Sequence, residues 1–265
     1  MDASELRAAL DVAVAAALEA QAGVLASFRD ARLAVDTKGD GTIVTAADRE
    51  AEATIRRALR ASQRFGAIAI VGEEQGLDEG AGGNDLRWVI DPIDGTLAFA
   101  RGNPLFGTLI ALEERETGRA LVGVVHLPAL GETYRAARGL GAWCGDERLR
   151  ASSCERLADA TASIESLATF RRNGRVDAHQ ALVGACGRTT GNNDCFGHAL
   201  VARGALDMSL ELGLAVWDLR ASQVLVEEAG GATRVLPAGR EGRWDFLIGA
   251  PRLVEAAAEL IYARK

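Results

Sequence analysis

Residues 88–102 read WVIDPIDGTLAFARG, and the parsing of this stretch decides the fold. Trp88, Val89 and Ile90 form a short apolar run of the kind expected for a buried strand. Asp91 and Asp94 follow, three residues apart with Pro92 between them, and Gly95-Thr96 comes at once after. Proline and glycine punctuate a chain, so the strand is expected to end in a sharp turn carrying two carboxylates. In an α/β protein the loops beyond strand ends gather at one edge of the sheet, where ligands bind. A surface loop could hold the same residues idly, so the rest of the chain must show whether other groups converge there.

Further runs of strand length surround this one: AIAIVG (67–72), FGTLIAL (106–112) and LVGVVHL (121–127). They suit strands buried on both faces of a layered sheet. Residues 3–28 have helical periodicity, with Leu6, Leu10, Val14, Leu18 and Leu25 on the apolar side. A second helix is expected from Ala46 to Leu59, with Asp48, Glu50 and Glu52 early, where the helix dipole favours negative charge. Further on, CFGHALVARG reads as a helix stopped by Gly204 and LDMSLELG as a strand. WDLRASQVLVEEAGG then reads as a helix stopped at Gly230-Gly231, and 251–262 as a last helix opened by Pro251. The stretch 139–190 has no sustained pattern, and its elements stay unplaced.

At 265 residues and 48% hydrophobic content the chain can bury a large core. Two subdomains are expected, 1–150 and 151–265, with a soft boundary near 145–155. The apolar run Val12–Leu18 is too short to span a bilayer, and Asp2 and Glu5 stand where a signal peptide would carry positive charge. A cytoplasmic protein without a membrane partner is the expectation. Cysteines 144, 154, 186 and 195 form no CxxC pair, which argues against a zinc or redox motif. A net charge of −7 with scattered arginines argues against a nucleic-acid surface.

Four acidic features remain: VTAAD (Asp48), VGEE (Glu73, Glu74), DPID (Asp91, Asp94) and VWD (Asp218). If they meet, they repel one another, and bound divalent cations are the ordinary resolution. Every candidate ligand is an oxygen, which favours a hard ion such as Mg²⁺ over Zn²⁺. Backbone amides at Gly95 and Thr96 suit a phosphate oxygen, and metal and phosphate would then explain each other.

In order and spacing, KGDGTIVTAAD, VGEE, DPIDGT and WD followed by EEAGG resemble the inositol monophosphatase superfamily of Mg²⁺-dependent phosphomonoesterases. The resemblance spans nearly the whole chain. It implies a five-layered αβαβα sandwich, often dimeric, with the N-terminal part carrying most of the metal ligands and the C-terminal part carrying Asp218. It also implies one Mg²⁺ on Glu73, Asp91 and the Ile93 carbonyl, a second on Asp91, Asp94 and Asp218, and a third, weaker ion leaning on Glu73. Asp48 and Thr96 would orient and activate the attacking water, and the Gly95 and Thr96 amides would hold the phosphate. Lys38 matches a lysine of the family's loop before the VTAAD segment.

The substrate is read elsewhere. Where inositol-specific members carry small residues, this chain has Asn192, Asn193, Asp194 and Cys195, and DCFGHALVARG is similar to the histidinol-phosphate phosphatase branch. A carboxylate from Asp194, helped by Glu211, would reward an ammonium group on the substrate, whereas neutral inositol offers none. The rival reading of Asp194 is that it merely caps the helix that follows. His126, His179 and His198 read as structural, with His198 one helical turn from Asp194.

Overall fold

The computed structural model describes residues 1–30, 34–37, 39, 43–83, 85–191 and 193–262. Lys38 and Asn192 lie outside them. Helix α1 (Ala3–Ser27) is opened by a reciprocal cap: the Glu5 N–H donates to Asp2 at 2.8 Å, and the Asp2 N–H donates to Glu5 at 2.9 Å. A ribbon of β1 (Val35–Thr37) and β2 (Ile43–Thr45) leads into α2 (Ala46–Ala61).

The first sheet is then laid down by β3 (Ala69–Gly72), β4 (Gly76–Asp78), β5 (Leu86–Asp94), β6 (Gly107–Glu114), β7 (Ala120–Leu127), β8 (Glu132–Ala137), β9 (Gly141–Cys144) and β10 (Glu147–Arg148). The short α3 (Thr96–Ala100) sits between β5 and β6. The strand order is β10-β9-β8-β7-β6-β5-β3-β4, antiparallel throughout except for the β3–β5 pair. A second sheet of order β12-β11-β13-β15-β14 is built from β11 (Thr161–Ile164), β12 (Arg188–Thr190), β13 (Met208–Leu214), β14 (Ala232–Pro237) and β15 (Trp244–Gly249). Helices α4 (Leu167–Arg172), α5 (Val176–Ala185), α6 (Asp194–Ala202), α7 (Val216–Glu228) and α8 (Pro251–Tyr262) connect and cover it.

The buried side chains resolve these elements into five layers. Leu6, Leu10, Ile55 and Leu59 of α1 and α2 pack on Ile70, Ile90, Ile110 and Val122 of the first sheet. Its opposite face meets α6 and α7 through Val89, Leu109, Ala199 and Leu219, and the same core reaches Phe246 and Ile248 of the second sheet. The outer face of that sheet is closed by Phe170, Leu182 and Leu253. The result is the αβαβα sandwich. Close approach is demanded at Gly123, where a Cβ would lie 2.3 Å from the Ala221 carbonyl, so β7 has no room there for a side chain under α7.

Three expectations shift. The DPID residues do not follow a strand that ends at Ile90; β5 runs on to Asp94 with a bulge between Asp91 and Asp94. Pro92 is tolerated because pairing with β3 has ended at Gly72–Ile90, so no ladder donor is required of it. On α1 the buried stripe is Leu6, Ala9, Leu10, Ala13, Ala16, Ala17, Ala20 and Val24, while Leu18 is exposed. An i, i+4 series drifts round the helix, so Leu18 stands about 120° from Leu6. Taken whole, α1 is also long and apolar enough to cross a membrane, by length and composition, although its alanine stripe packs against α2 and the sheet.

Candidate active site

The first layer of the site comes from the ends of β3 and β5 and the starts of α2 and α7. Glu73, Asp91 and Asp218 each offer a carboxylate oxygen, and these three atoms lie within 4.8 Å of one another. Glu73 follows β3, where its N–H donates to the Ile90 carbonyl at 3.2 Å. Asp91 accepts the Ile93 N–H at 3.1 Å across the bulge. Asp218 is in the first turn of α7 and caps it by accepting the Ala215 N–H at 2.7 Å. Asp94 stands outside this trio, with Oδ2 taking the Cys195 N–H at 2.5 Å.

Asp48, in the first turn of α2, is held by Thr45, whose N–H and hydroxyl both donate to Oδ2, at 2.8 and 2.6 Å. Its Oδ1 faces the Thr96 hydroxyl at 3.5 Å, a loose contact, and the same hydroxyl donates to the Ile93 carbonyl at 3.1 Å. Gly95 has φ +80°, which an L side chain rarely adopts, and so it can turn the chain from β5 into α3.

Packing these acids together has an electrostatic cost. Burial, then Glu73, Asp94 and Asp218, push Asp91 well above the usual carboxylate range. Burial, then Asp194 and Asp218, do the same to Asp94. Asp218 is pushed up to about 7 by burial, with Glu73 adding to it and Arg243 opposing. Burial also raises Asp48. An all-oxygen donor set that repels itself fits a hard divalent cation, which would supply the missing positive charge.

Glu73, Asp91, Asp94 and Asp218 line a cavity of about 830 Å³ whose wall also carries Asp194, Phe196 and Trp217. Asp194 has φ +58°, a left-handed conformation that costs a non-glycine residue about 1–3 kcal/mol and persists only where neighbours enforce it. Its neighbours do so at three successive residues: Ser163 donates to the Asn193 side chain at 2.8 Å, the Asp194 N–H donates to Glu211 at 3.1 Å, and the Cys195 N–H donates to Asp94. Burial, then Glu211, raise Asp194 to about 7, with His198 opposing. Asp194 is the first residue of α6 and its cap is Asn193, so the capping role expected of Asp194 falls to its neighbour's position. Glu211 stands one layer behind the cavity wall, 1% exposed, as the partner of the Asp194 backbone.

Sequence reasoning missed two wall residues. Glu165 follows β11 and lies in the stretch that showed no periodicity; its carboxylate faces the cavity and is raised by burial. Arg243 comes from the turn between β14 and β15, and no local pattern before it announced the strand. Behind Glu73 lies a third omission: fully buried Glu52, which pairs with Arg56 at 2.8 Å and accepts the Glu74 and Gln75 N–H groups at 2.7 and 3.1 Å.

A five-layered sandwich with buried carboxylates beside a glycine turn at its strand ends suits a phosphoric monoester hydrolase, and the relatives of this chain show it to be one. The chain belongs to the inositol monophosphatase family, which it matches over residues 5–264. A histidinol-phosphatase of Streptomyces coelicolor is 39% identical over 231 residues, covering 84% of each chain. An inositol-1-monophosphatase of Mesorhizobium japonicum is 34% identical over 239 residues, covering 88% of each. Among solved structures, the extragenic suppressor protein suhB from Bartonella henselae superposes with a TM-score of 0.84 at 27% identity, covering 96% of this chain and 98% of that one.

Proposed function

We propose that this chain is a Mg²⁺-dependent phosphomonoesterase whose preferred substrate is histidinol phosphate. The observation that carries the reading is Asp194: a carboxylate on the wall of the cavity that Glu73, Asp91 and Asp218 also line, held in a strained backbone conformation by its neighbours. A substrate that carries both a phosphate and an ammonium group suits such a cavity better than a neutral ester does. The 39% identity to a protein named histidinol-phosphatase supports the same choice. Inositol 1-phosphate is the second reading, favoured by the 34% identical relative of that name.

In this reading Glu73, Asp91 and the Ile93 carbonyl would hold one Mg²⁺, Asp91, Asp94 and Asp218 would hold another, and a third would lean on Glu73. Bound there, Mg²⁺ neutralises phosphate charge, lowers the pKa of water and stabilises the leaving oxygen. Asp48 is the base: burial favours its protonated form, and Thr45 fixes one oxygen so that the other points at Thr96. Thr96 aligns the attacking water between Asp48 and the phosphorus. The Gly95 and Thr96 amides, at the head of α3, receive the phosphate oxygens. Asp194 binds the ammonium, with Glu211 behind it.

We place the enzyme in the cytoplasm, in histidine biosynthesis, as a homodimer that acts on a small molecule. The experiment is phosphate release from histidinol phosphate by chelator-treated protein as Mg²⁺ is restored. Saturable recovery of turnover supports the proposal; full turnover in chelator would sink it.

A further inference from the structure

Glu211 is a buried carboxylate at the end of a chain of polar groups that the reaction scheme does not use. His198, one turn along α6 from Asp194, places Nε2 2.9 Å from Glu211 Oε1, off the ring's N–H axis. The other ring nitrogen, Nδ1, is 2.8 Å from the Ser222 hydroxyl on α7. The ring stands edge-on to Phe246 of β15, with centroids 5.3 Å apart and planes at 88°. Ser222 is 0% exposed, and His198 and Glu211 are each 1% exposed, so this Ser–His–Glu array has no access to substrate and cannot act as a nucleophile. It joins α7, α6 and β13 directly behind the cavity wall.

A buried carboxylate needs donors, or it protonates or rotates. Glu211 Oε1 accepts the Asp194 N–H, and the His198 ring lies against the same oxygen without a hydrogen bond to it. With the ring oriented by Ser222 and Phe246, its polar edge at Nε2 limits where the Glu211 carboxylate can turn. Glu211 in turn keeps the Asp194 backbone left-handed, and that conformation aims the Asp194 carboxylate at the cavity.

We propose that His198 is a positioning residue for substrate selection, holding Asp194 in its selecting conformation through Glu211. This rests on Asp194 reading the substrate's cationic end, and the test separates the two ideas. Specificity constants are measured for histidinol phosphate and for neutral glycerol 2-phosphate, with Mg²⁺ present, in wild type, Asp194→Asn, His198→Phe, His198→Gln and Ser222→Ala. His198→Phe keeps a flat ring against Phe246 but removes the polar edge that faces Glu211. It should lower the ratio of cationic to neutral specificity constants about tenfold, mainly through KM on the cationic ester. His198→Gln, which restores a polar group at that edge, should recover most of that ratio, and a merely structural ring would not produce this pattern.

If Asp194→Asn lowers the ratio while His198→Phe leaves it at the wild-type value, the inference is overturned and the reading of Asp194 stands. If Asp194→Asn leaves the ratio unchanged, that reading fails and the inference falls with it. Should His198→Phe not fold, Ser222→Ala decides: a fall of about threefold supports the inference, and a wild-type ratio overturns it.

Discussion

Glu52 holds Glu74 by its backbone: the Glu74 N–H donates to Glu52 Oε2 at 2.7 Å, from a strand-end turn to a helix side chain that is 0% exposed. Gly72 is required beneath this contact, because a Cβ there would lie 2.3 Å from Glu52 Oε1. The turn carrying Glu73 is therefore set by a carboxylate that never meets the substrate. Glu52→Ala should cost roughly 3–5 kcal/mol of stability, since the Glu74 and Gln75 amides and the partly buried Arg56 all lose the same fully buried carboxylate. It should also raise the Mg²⁺ concentration needed for half-maximal turnover. Denaturant unfolding and a Mg²⁺ titration of activity measure both, and an unchanged Mg²⁺ requirement would show that Glu52 does not place Glu73.

Asp91 and Asp218 supply two of the three clustered oxygens. Replacing either by asparagine should lower Mg²⁺-dependent turnover by about a hundredfold or more, because charge is lost from the cation site while shape is kept. Near-normal turnover in both variants would remove the ligand assignment.

Without metal, stability should depend on pH in an unusual direction. Asp91 is raised by burial and then Glu73, Asp94 by burial and then Asp194, and Asp218 and Asp194 reach about 7. An acid whose folded pKa lies above its unfolded value binds its proton more tightly when folded. The stability contribution is thus fully present below the unfolded pKa near 4 and is lost as pH rises towards about 7. Melting temperatures in chelator should fall between about pH 5 and pH 7, and saturating Mg²⁺ should flatten the slope. A metal-free protein that gains stability over that range would mean the acids are already compensated by other groups.

Thr96 faces both Asp48, at 3.5 Å, and the Ile93 carbonyl, at 3.1 Å. Thr96→Val should lower the rate of the chemical step while substrate binding changes less, as for an interaction made mainly in the transition state. Single-turnover kinetics separate the two. A slower binding step with unchanged chemistry would make Thr96 a phosphate anchor instead.

The acids of the site were legible because each sits beside a strong local signal: a helix start for Asp48 and Asp218, and a strand end with proline and glycine for Asp91 and Asp94. The helices at 3–28, 46–59 and 251–262 were legible through periodicity and through Pro251. What stayed hidden depends on contacts distant in sequence. Glu52 reads as one more charge at a helix start, and only packing against Gly72 and the Glu74 amide makes it a support. The edge strand β12, of three residues, pairs with β11 27 positions away, and no local pattern announces such a short edge. Glu211, expected to help Asp194 reach the substrate, is 1% exposed, because how deep a strand residue lies is set by the layers packed over it and not by the local sequence.

If the cavity selects a phosphate ester carrying a cation, the selection shows most directly in the ratio of specificity constants for histidinol phosphate and inositol 1-phosphate, from initial-rate phosphate release with saturating Mg²⁺. A charge-assisted contact of about 1.5–3 kcal/mol predicts a preference for histidinol phosphate of roughly ten- to a hundredfold. Equal constants, or a preference for inositol 1-phosphate, would contradict the claim.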